Sequence, residues 1–209
     1  MNYDVIIVAS GKGIRANLGY NKAFYQMKDG RTVLEHSASL FNEDEDCRKI
    51  IVVTAKECMP AVKINEKTIV VEGGEERSDS VRNGLEQVTG EYVLIHDAAR
   101  PFLHKETLEL LKQKVFETGA AIPGKKATDT VKIIDGNKIV KTIDRNTVFL
   151  AGTPQGFRTE LIKECYGKCR DISFTDEASL VESLGYTVSI LEDKYDNRKL
   201  TSEEDFIGL

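Results

Sequence analysis

The chain has 209 residues and a formal net charge of −5 at pH 7, and charged residues make up 30% of it. A length of this order suits one sizeable α/β domain with a full core. The acidic balance argues against binding to duplex nucleic acid, which requires a basic face.

The cysteines and histidines do not form the pattern of a metal site. The four cysteines have no C-x-x-C spacing and the three histidines do not cluster with them, so a zinc site is not expected. Free thiols of this kind are typical of a reducing compartment. The amino terminus lacks a signal-peptide pattern and no apolar run reaches membrane-spanning length, so we expect a cytoplasmic protein with no membrane partner.

The first predicted strand runs directly into a basic turn that contains glycine. Residues 5–9 are an uncharged apolar run, which indicates a buried strand. Gly11 and Gly13 follow and allow the backbone to turn sharply with its N–H groups pointing inward. Three cations surround this turn in the sequence, namely Lys12, Arg15 and Lys22. The pattern predicts a cradle for a polyphosphate.

Three interpretations of this turn are open at this point. It can be an ordinary tight turn with solvated lysines. It can be a dinucleotide fingerprint, because residues 11–16 satisfy the loose G-x-G-x-x-G/A pattern, but the second predicted strand at 49–54 is not followed by the required acid. The third interpretation is a nucleotidyltransferase loop, in which Arg15 and Lys22 neutralise charge at the α-phosphorus of a nucleoside triphosphate.

Alternating helices and strands continue the chain. Helical spacing over residues 32–41 and apolar strands at 49–55 and 67–71 predict a parallel sheet that is buried on both faces. The acidic segment 42–46 is interpreted as a solvated loop without a function.

The third predicted strand ends at a second glycine turn, Gly73 and Gly74, which precedes a helix over residues 81–88. Ser78 or Asp79 is expected to cap that helix. In isolation this is a glycine turn followed by a good cap. Two glycine turns at the carboxyl ends of parallel strands, however, define a crevice in which a ligand can bind.

The fourth predicted strand, residues 92–95, leads to His96, Asp97 and two alanines. A carboxylate there suits Mg²⁺ carried by a triphosphate, because magnesium prefers hard oxygen ligands and retains several waters. Alternatively, Asp97 forms a structural ion pair with Arg100, and both interpretations stay open. His96 is given no role.

A hairpin interrupts the alternation of strands and helices. Two β-rich runs, 128–134 and 139–143, flank an Asp-Gly turn. We expect a single domain over residues 1–209, with the hairpin in an arm of about residues 126–148. The apolar residues of the arm need a cover, which a second subunit or the arm's own domain supplies.

The other expected elements are a helix at 105–118, a short strand at 120–122 ending at Pro123, helices at 159–169 and 175–184, a strand at 186–191 and a terminal helix from Ser202.

The ordered set of motifs resembles the 2-C-methyl-D-erythritol 4-phosphate cytidylyltransferase family, which acts in the non-mevalonate isoprenoid pathway. The resemblance covers nearly the whole chain in the family's order. It rests on the segments 9–15 with Lys22, 73–77 with Ser80, 96–102, 129–130, 144–146, 153–157, 175–179 and 197–201.

The resemblance implies a Rossmann-like nucleotidyltransferase fold with a mostly parallel central sheet and a projecting β-hairpin arm, dimerised through that arm. It implies transfer of CMP from CTP to the sugar phosphate with release of pyrophosphate, with Mg²⁺ held in part by Asp97. The catalytic pair is then Arg15 and Lys22. Nine residues are expected to bind the nucleotide: Ala9, Ser10, Gly11, Lys12, Gly13, Gly74, Ser80, Asp97 and Ala98. Thr130, Arg145 and Lys199 are expected to grip the sugar phosphate, the first two in the partner's site.

Three positions depart from the family pattern. Alanine, methionine and proline usually stand where this chain has Ser10, Ala16 and Asn21. The loss of proline is expected to free the residues before Lys22, because proline fixes its own φ and restricts its neighbour. A polyol-phosphate enzyme, such as a ribitol 5-phosphate cytidylyltransferase, is the nearest alternative function. A non-catalytic nucleotide-binding regulator is the alternative of a different class, and Asn21 is its only support.

Overall fold

Apolar strands with parallel neighbours form the centre of the molecule. The computed structural model describes residues 1–11, 16, 18–63, 65–169 and 174–209. Four strands pair in parallel in the order β4-β1-β2-β3. Their bounds are β1 Tyr3–Ala9, β2 Cys47–Thr54, β3 Thr68–Glu72 and β4 Tyr92–Asp97. The predicted parallel sheet is therefore confirmed.

The strands are apolar at successive positions because helices cover both faces of the sheet. Ile6 in β1 lies opposite Ile51 in β2 and Ile95 in β4, and none of the three is exposed to solvent. Ile6 packs with helices on one face, whereas its neighbour Ile7 packs with helices on the other face. Burial on two faces removes the alternation of polar and apolar residues that marks a half-exposed strand.

Four further strands extend the sheet beyond β4 in the order β10-β5-β9-β4, with β8 paired to β5. Their bounds are β5 Ala120–Lys126, β8 Phe149–Ala151, β9 Gln155–Arg158 and β10 Ser189–Glu192. Strand β9 is antiparallel to both β4 and β5, and β10 is parallel to β5. No sequence pattern predicts β8 or β9.

The expectation that the fifth strand ends at Pro123 is wrong. The strand continues to Lys126. Proline has no N–H to donate, but the contact at this position uses its carbonyl, which accepts the Gly152 N–H at 2.7 Å. Gly124 then allows β8 to approach closely, since a Cβ there would lie 2.3 Å from the Leu150 carbonyl oxygen. The proline and glycine that predict the end of a strand are thus the residues at which β5 contacts β8 and the residue that follows it.

Five α-helices cover the sheet in the described part of the chain. They are α1 Val33–Glu43, α2 Arg77–Glu86, α3 Lys105–Thr118, α4 Thr159–Lys168 and α5 Glu177–Ser183. Helices α1 and α3 contribute Leu34 and Leu111 to the core on one face. Helices α2, α4 and α5 pack on the other face. None of the helices in the described residues is long and apolar enough to cross a membrane.

Helix α2 begins four residues before the expected position, and its predicted cap is wrong. Residue Glu76 occupies the N-cap position, so Ser78 and Asp79 lie in the first turn. Asp79 accepts the Glu76 N–H at 3.1 Å, which satisfies a backbone donor at the helix start. The expected strand at 186–191 begins later, as β10 at Ser189–Glu192. The expected terminal helix is a short 3-10 helix, Glu203–Phe206.

The predicted hairpin is confirmed as a separate two-stranded antiparallel sheet of β6 Val131–Asp135 and β7 Lys138–Ile143. Gly136 in its turn has φ 53°, a conformation that favours glycine. Four large apolar side chains of the hairpin are exposed: Ile133, Ile134, Ile139 and Val140.

Candidate active site

A cavity of about 1180 Å³ lies at the carboxyl ends of the parallel strands. Strands β1, β3 and β4 end at Ala9, Glu72 and Asp97, and these residues line the cavity together with the turns that follow them. Parallel strands that lie side by side end at the same edge of a sheet, so the two glycine turns and Asp97 meet there.

Most of the residues expected to bind the nucleotide line this cavity. They are Ala9, Ser10, Gly11, Gly74, Asp97 and Ala98, and Lys22 and Lys199 also line it. Ser80 is fully buried. Lys12, Gly13 and the expected catalytic residue Arg15 lie outside the residues that the structure describes. The contacts of all these residues with a nucleotide stay predictions.

Two of the residues expected to bind the sugar phosphate lie on the arm, away from this cavity. Thr130 and Arg145 are exposed, and neither lines the cavity of its own chain. Arg145 donates a hydrogen bond to the Thr128 carbonyl at 2.7 Å. Their role in a partner's site stays a prediction.

The two glycine turns are joined by a pair of hydroxyl groups. Ser10 Oγ lies 2.8 Å from Ser80 Oγ, and Ser80 Oγ accepts the Gly74 N–H at 3.1 Å. Gly73 and Gly74 are required by this packing, because a Cβ would lie 2.7 Å from Ser10 Cβ and 2.3 Å from Asp79 Cβ, respectively. Ser10, which directly follows β1, and the start of α2 are therefore held in one position relative to each other.

Asp97 is the centre of a cluster of cations at the end of β4. Lys199 Nζ donates to Oδ2 at 2.7 Å and Arg77 Nε donates to Oδ1 at 3.2 Å, while Arg100 Nε lies 3.9 Å from Oδ2. Burial alone would raise the pKa of Asp97, but Arg77 and Lys199 outweigh it and hold the pKa below its ordinary value. The carboxylate is ionised at neutral pH.

Arg77 is itself held by a carboxylate from the opposite side. Its NH1 and NH2 groups donate to the two carboxylate oxygens of Glu177 at 2.7 and 3.0 Å. Glu177 is only 2% exposed, and Tyr166 also donates to it at 3.1 Å. This bidentate geometry is the strongest form of an arginine–carboxylate contact. It fixes the direction in which Arg77 reaches Asp97.

His96 supports the backbone at Asp97 in its neutral form. The Arg100 carbonyl can only accept, so His96 Nε2 donates to it at 3.1 Å, and His96 Nδ1 accepts from the Thr153 hydroxyl at 3.0 Å. Thr153 Oγ1 in turn accepts the Asp97 N–H at 3.1 Å. Burial lowers the pKa of His96 to about 4, so the imidazole is uncharged at neutral pH. Its position indicates a supporting role rather than proton transfer.

Lys22 reaches the cavity from the segment that follows the first turn. It begins a 3-10 helix, Lys22–Phe24, and its Nζ donates to the Leu200 carbonyl at 2.5 Å. Leu200 follows Lys199, the residue that contacts Asp97. Two lysines and an aspartate that are far apart in the sequence are therefore brought to one cavity.

The family model described as 2-C-methyl-D-erythritol 4-phosphate cytidylyltransferase matches residues 3–208. The chain belongs to this family. Among curated cytidylyltransferases of that name, the protein of Geobacillus thermodenitrificans is 39% identical, with 99% of this chain and 95% of the relative covered. The protein of Shouchella clausii is also 39% identical, and the alignment covers 99% of this chain and 94% of that relative.

Solved structures of 2-C-methyl-D-erythritol 4-phosphate cytidylyltransferases share the fold. The enzyme of Francisella tularensis has a TM-score of 0.86 at 29% identity, with 99% of this chain and 97% of that chain covered. The enzyme of Thermus thermophilus has a TM-score of 0.83 at 30% identity, with coverage of 99% and 96%. The predicted fold class and the prediction of a cytidylyltransferase are confirmed, and the ribitol phosphate alternative is disfavoured.

Within this cytidylyltransferase, sequence reasoning misses the pair of Arg77 and Glu177. Both residues lie in motifs that carry the resemblance, which is the signal that could have found them. Their contact spans 100 residues of sequence, so no local pattern predicts it. The ion-pair interpretation of Asp97 is confirmed, since its carboxylate lies 3.9 Å from Arg100 and also contacts Arg77 and Lys199, whereas the magnesium interpretation stays a prediction.

Proposed function

We propose that the protein transfers CMP from CTP to 2-C-methyl-D-erythritol 4-phosphate and releases pyrophosphate, with Mg²⁺, as a cytoplasmic homodimer. One observation carries this proposal. A chain that matches the cytidylyltransferase family over residues 3–208 forms a cavity where Lys22, Asp97 and Lys199 meet two glycine turns. The four free cysteines support a reducing compartment.

The reaction needs positioning and charge neutralisation rather than a protein nucleophile. A phosphate oxygen of the sugar phosphate attacks the α-phosphorus of CTP, and the bond between that phosphorus and the oxygen bridging to the β-phosphate breaks. The attacking oxygen is already anionic, so no base is required. In this proposal Lys22, with Arg15, neutralises the charge that develops on the α-phosphate, and Lys199 binds the attacking phosphate.

The residues present fit a magnesium ion that arrives with the nucleotide. The described residues contain no group of three or more acidic, histidine or cysteine side chains that could hold a metal alone. Magnesium, however, commonly uses one or two carboxylates with phosphate oxygens and waters, and Asp97 is an ionised carboxylate at the cavity. When bound, the ion would neutralise charge on the triphosphate. Asp97 would hold it, with Lys199 released from that carboxylate.

The exposed apolar face of the arm supports a dimer. Ile134, Ile139 and Val140 are each more than 60% exposed on an isolated hairpin, which favours a cover from another chain. Thr130 and Arg145 lie beside this hairpin and away from their own cavity. In a dimer built through the arm, these two side chains are the ones proposed to bind the sugar phosphate in the partner's site.

The test is pyrophosphate release by the purified protein with CTP, Mg²⁺ and either 2-C-methyl-D-erythritol 4-phosphate or ribitol 5-phosphate. We expect turnover with the first substrate and loss of turnover when the metal is chelated. Lys22→Ala and Arg15→Ala should each lower kcat on the order of 10²–10³-fold, the usual effect of removing a charged donor at such a centre. Lys105→Ala, which removes an exposed lysine on α3, is the matched control. Near-normal kcat in Lys22→Ala or in Arg15→Ala would contradict the role assigned to that residue.

A further inference from the structure

The side chain of Asn21 makes hydrogen bonds with both of its ends. Its Nδ2 donates to the carbonyl of Ala9, the last residue of β1, at 2.5 Å. Its Oδ1 accepts the N–H of Ala23 at 3.0 Å and so caps the 3-10 helix Lys22–Phe24. One neutral side chain therefore joins the end of a buried strand to the start of the helix that carries Lys22.

These contacts close the base of the first glycine turn. The Asn21 amide ties Ala9, the last residue of β1, to the residue before the 3-10 helix, and the glycine turn lies between these two residues in the sequence. The Ala9 carbonyl also accepts the hydroxyl of Thr54 in β2 at 3.1 Å, so the junction is fixed to two neighbouring strands. Ala9, Asn21 and Lys22 all line the cavity.

Lys22 is held at two points. The contacts of Asn21 hold its backbone, and the Leu200 carbonyl holds its ammonium. Its Nζ donates to the Leu200 carbonyl, and its backbone is the first residue of the 3-10 helix that Asn21 caps. A lysine has a long side chain with many rotamers, so a fixed backbone limits the volume that its ammonium can reach. Small displacements of a charged group at a reacting centre can cost large factors in rate.

We propose that Asn21 is a positioning residue that holds Lys22 at the cavity by closing the base of the glycine turn. The inference rests on the proposed function, in which Lys22 acts at the α-phosphate. Asn21 acts through Lys22 and through the backbone between β1 and the 3-10 helix. Its substitution therefore changes the rate of the reacting complex more than the binding of the nucleotide.

The backbone of Asn21 allows two informative substitutions beside alanine. Its φ of −66° is the value that a proline ring imposes, so Asn21→Pro restrains the same backbone without the side-chain hydrogen bonds. Asn21→Ser keeps an oxygen that can cap the Ala23 N–H but is too short to reach the Ala9 carbonyl. Asn42→Ala is the matched control, because Asn42 is an exposed asparagine on α1, remote from the cavity.

The experiment compares kcat, the KM for CTP and the unfolding midpoint of these variants with those of the wild type. We expect Asn21→Ala and Asn21→Ser to lower kcat about tenfold with a KM for CTP within about twofold, and Asn21→Pro to retain kcat within about threefold. Wild-type kcat in Asn21→Ala would overturn the proposal. Full activity in Asn21→Ser would also overturn it, since the cap alone would then suffice.

A second measurement tests the link without any substrate. Lysines are reductively methylated with ¹³C-formaldehyde, and the Lys22 resonance is assigned by its loss in Lys22→Arg. We expect this resonance to narrow and to shift toward the free-lysine position in Asn21→Ala but not in Asn42→Ala. An unchanged resonance would overturn the link between Asn21 and Lys22. If the wild type itself releases no pyrophosphate, the proposed function fails, whereas this measurement still decides the positioning role.

Discussion

Two buried charges of opposite sign lie at opposite ends of the central sheet. At the carboxyl end, Asp97 is surrounded by Arg77, Lys199 and Arg100. At the amino end, Lys112 of α3 is surrounded by three carboxylates, those of Asp44, Asp46 and Glu109, at 2.8, 2.9 and 3.0 Å. Each central charge has three partners of the other sign.

The clusters around Asp97 and Lys112 differ in their surroundings, because only the first one lines the large cavity. Around Asp97, three cations meet two carboxylates, and Arg77, Asp97 and Lys199 line the large cavity. The cluster therefore has one more positive than negative charge, which favours an anionic ligand beside it. Around Lys112, three carboxylates meet its ammonium, and the amino-terminal ammonium lies 3.6 Å from one of them, Asp46. The contacts of Lys112 with Asp44 and Asp46 join α3 to the turn before β2. The first arrangement favours ligand binding, and the second connects two elements of the fold.

The largest expected effect comes from removing the charge at the carboxyl end. Asp97→Asn should lower kcat/KM for CTP by on the order of 10²-fold or more, because it removes the proposed metal ligand and leaves the cations without their central partner. Steady-state kinetics at a temperature below the unfolding transition measures this loss. Urea unfolding of the same variant shows how much of the loss comes from an unfolded fraction. Activity close to the wild-type value in a folded variant would remove Asp97 from the site.

The corresponding change at the amino end should affect stability instead. Lys112→Met keeps much of the apolar stem but leaves Asp44 without its cation, so we expect a loss of about 3 kcal/mol in the free energy of unfolding. Urea denaturation measures it. The kcat of the folded protein should stay at the wild-type value, because Lys112 is remote from the cavity. A changed kcat would show that the two ends of the sheet are coupled.

The sequence predicts these two regions unequally. The strands and both glycine turns are visible as apolar runs and breaks, so the edge at which Asp97 and Lys22 meet follows from local patterns and the parallel sheet. The segment 42–46 is a different case. It is interpreted as a solvated loop, but Asp44 is mostly buried and contacts Lys112, a helical residue 68 positions away. Contacts of that range leave no periodic signal.

The same limit applies to the strands that sequence reasoning misses. Strand β9 is short, and it lies between β4 and β5, which are distant from it in sequence, while the preceding strand β8 also pairs with β5. Gly156 lies in it because a Cβ would come within 2.4 Å of Val115 and 2.8 Å of Leu94. The residue is determined by a helix and a strand on other parts of the chain. Tertiary packing, rather than β-propensity, selects this strand.

Acid should reduce the contribution of the amino-end cluster. Burial alone would raise the pKa of Asp44, but the hydrogen bonds from Lys112, the Asp46 N–H and Tyr3 outweigh it and lower the pKa. A carboxyl with a lowered folded-state pKa stabilises the protein above its unfolded pKa of about 4, and the contribution is lost as the pH falls toward the folded value. The stability difference between the wild type and Lys112→Met should therefore shrink from about pH 6 to about pH 3.

Urea unfolding at several pH values measures this difference directly. Lys112→Met removes a partner that lowers the Asp44 pKa, so its stability should fall less steeply with acid than that of the wild type. A difference that stays constant over the acid range would show that the pair of Asp44 and Lys112 adds nothing that depends on ionisation. The loss seen in the variant would then come from packing of the lysine stem.

The smallest expected effects come from one tyrosine in each cluster. Tyr3 donates to Asp44 at 2.8 Å and Tyr166 donates to Glu177 at 3.1 Å. Burial raises the pKa of both phenols, so each remains a donor at neutral pH. Tyr3→Phe and Tyr166→Phe each remove one hydroxyl, and each should lower the free energy of unfolding by about 1–2 kcal/mol.

Only the second of these substitutions should change catalysis. Glu177 directs Arg77 toward Asp97, so a less constrained Glu177 should lower kcat about two- to fivefold in Tyr166→Phe. Tyr3→Phe should leave kcat unchanged, because its partner Asp44 contacts Lys112 and not the cavity. Paired measurements of kcat and unfolding free energy separate the two roles. Equal kcat in both variants would mean that Glu177 stabilises the fold without orienting the charges at the cavity.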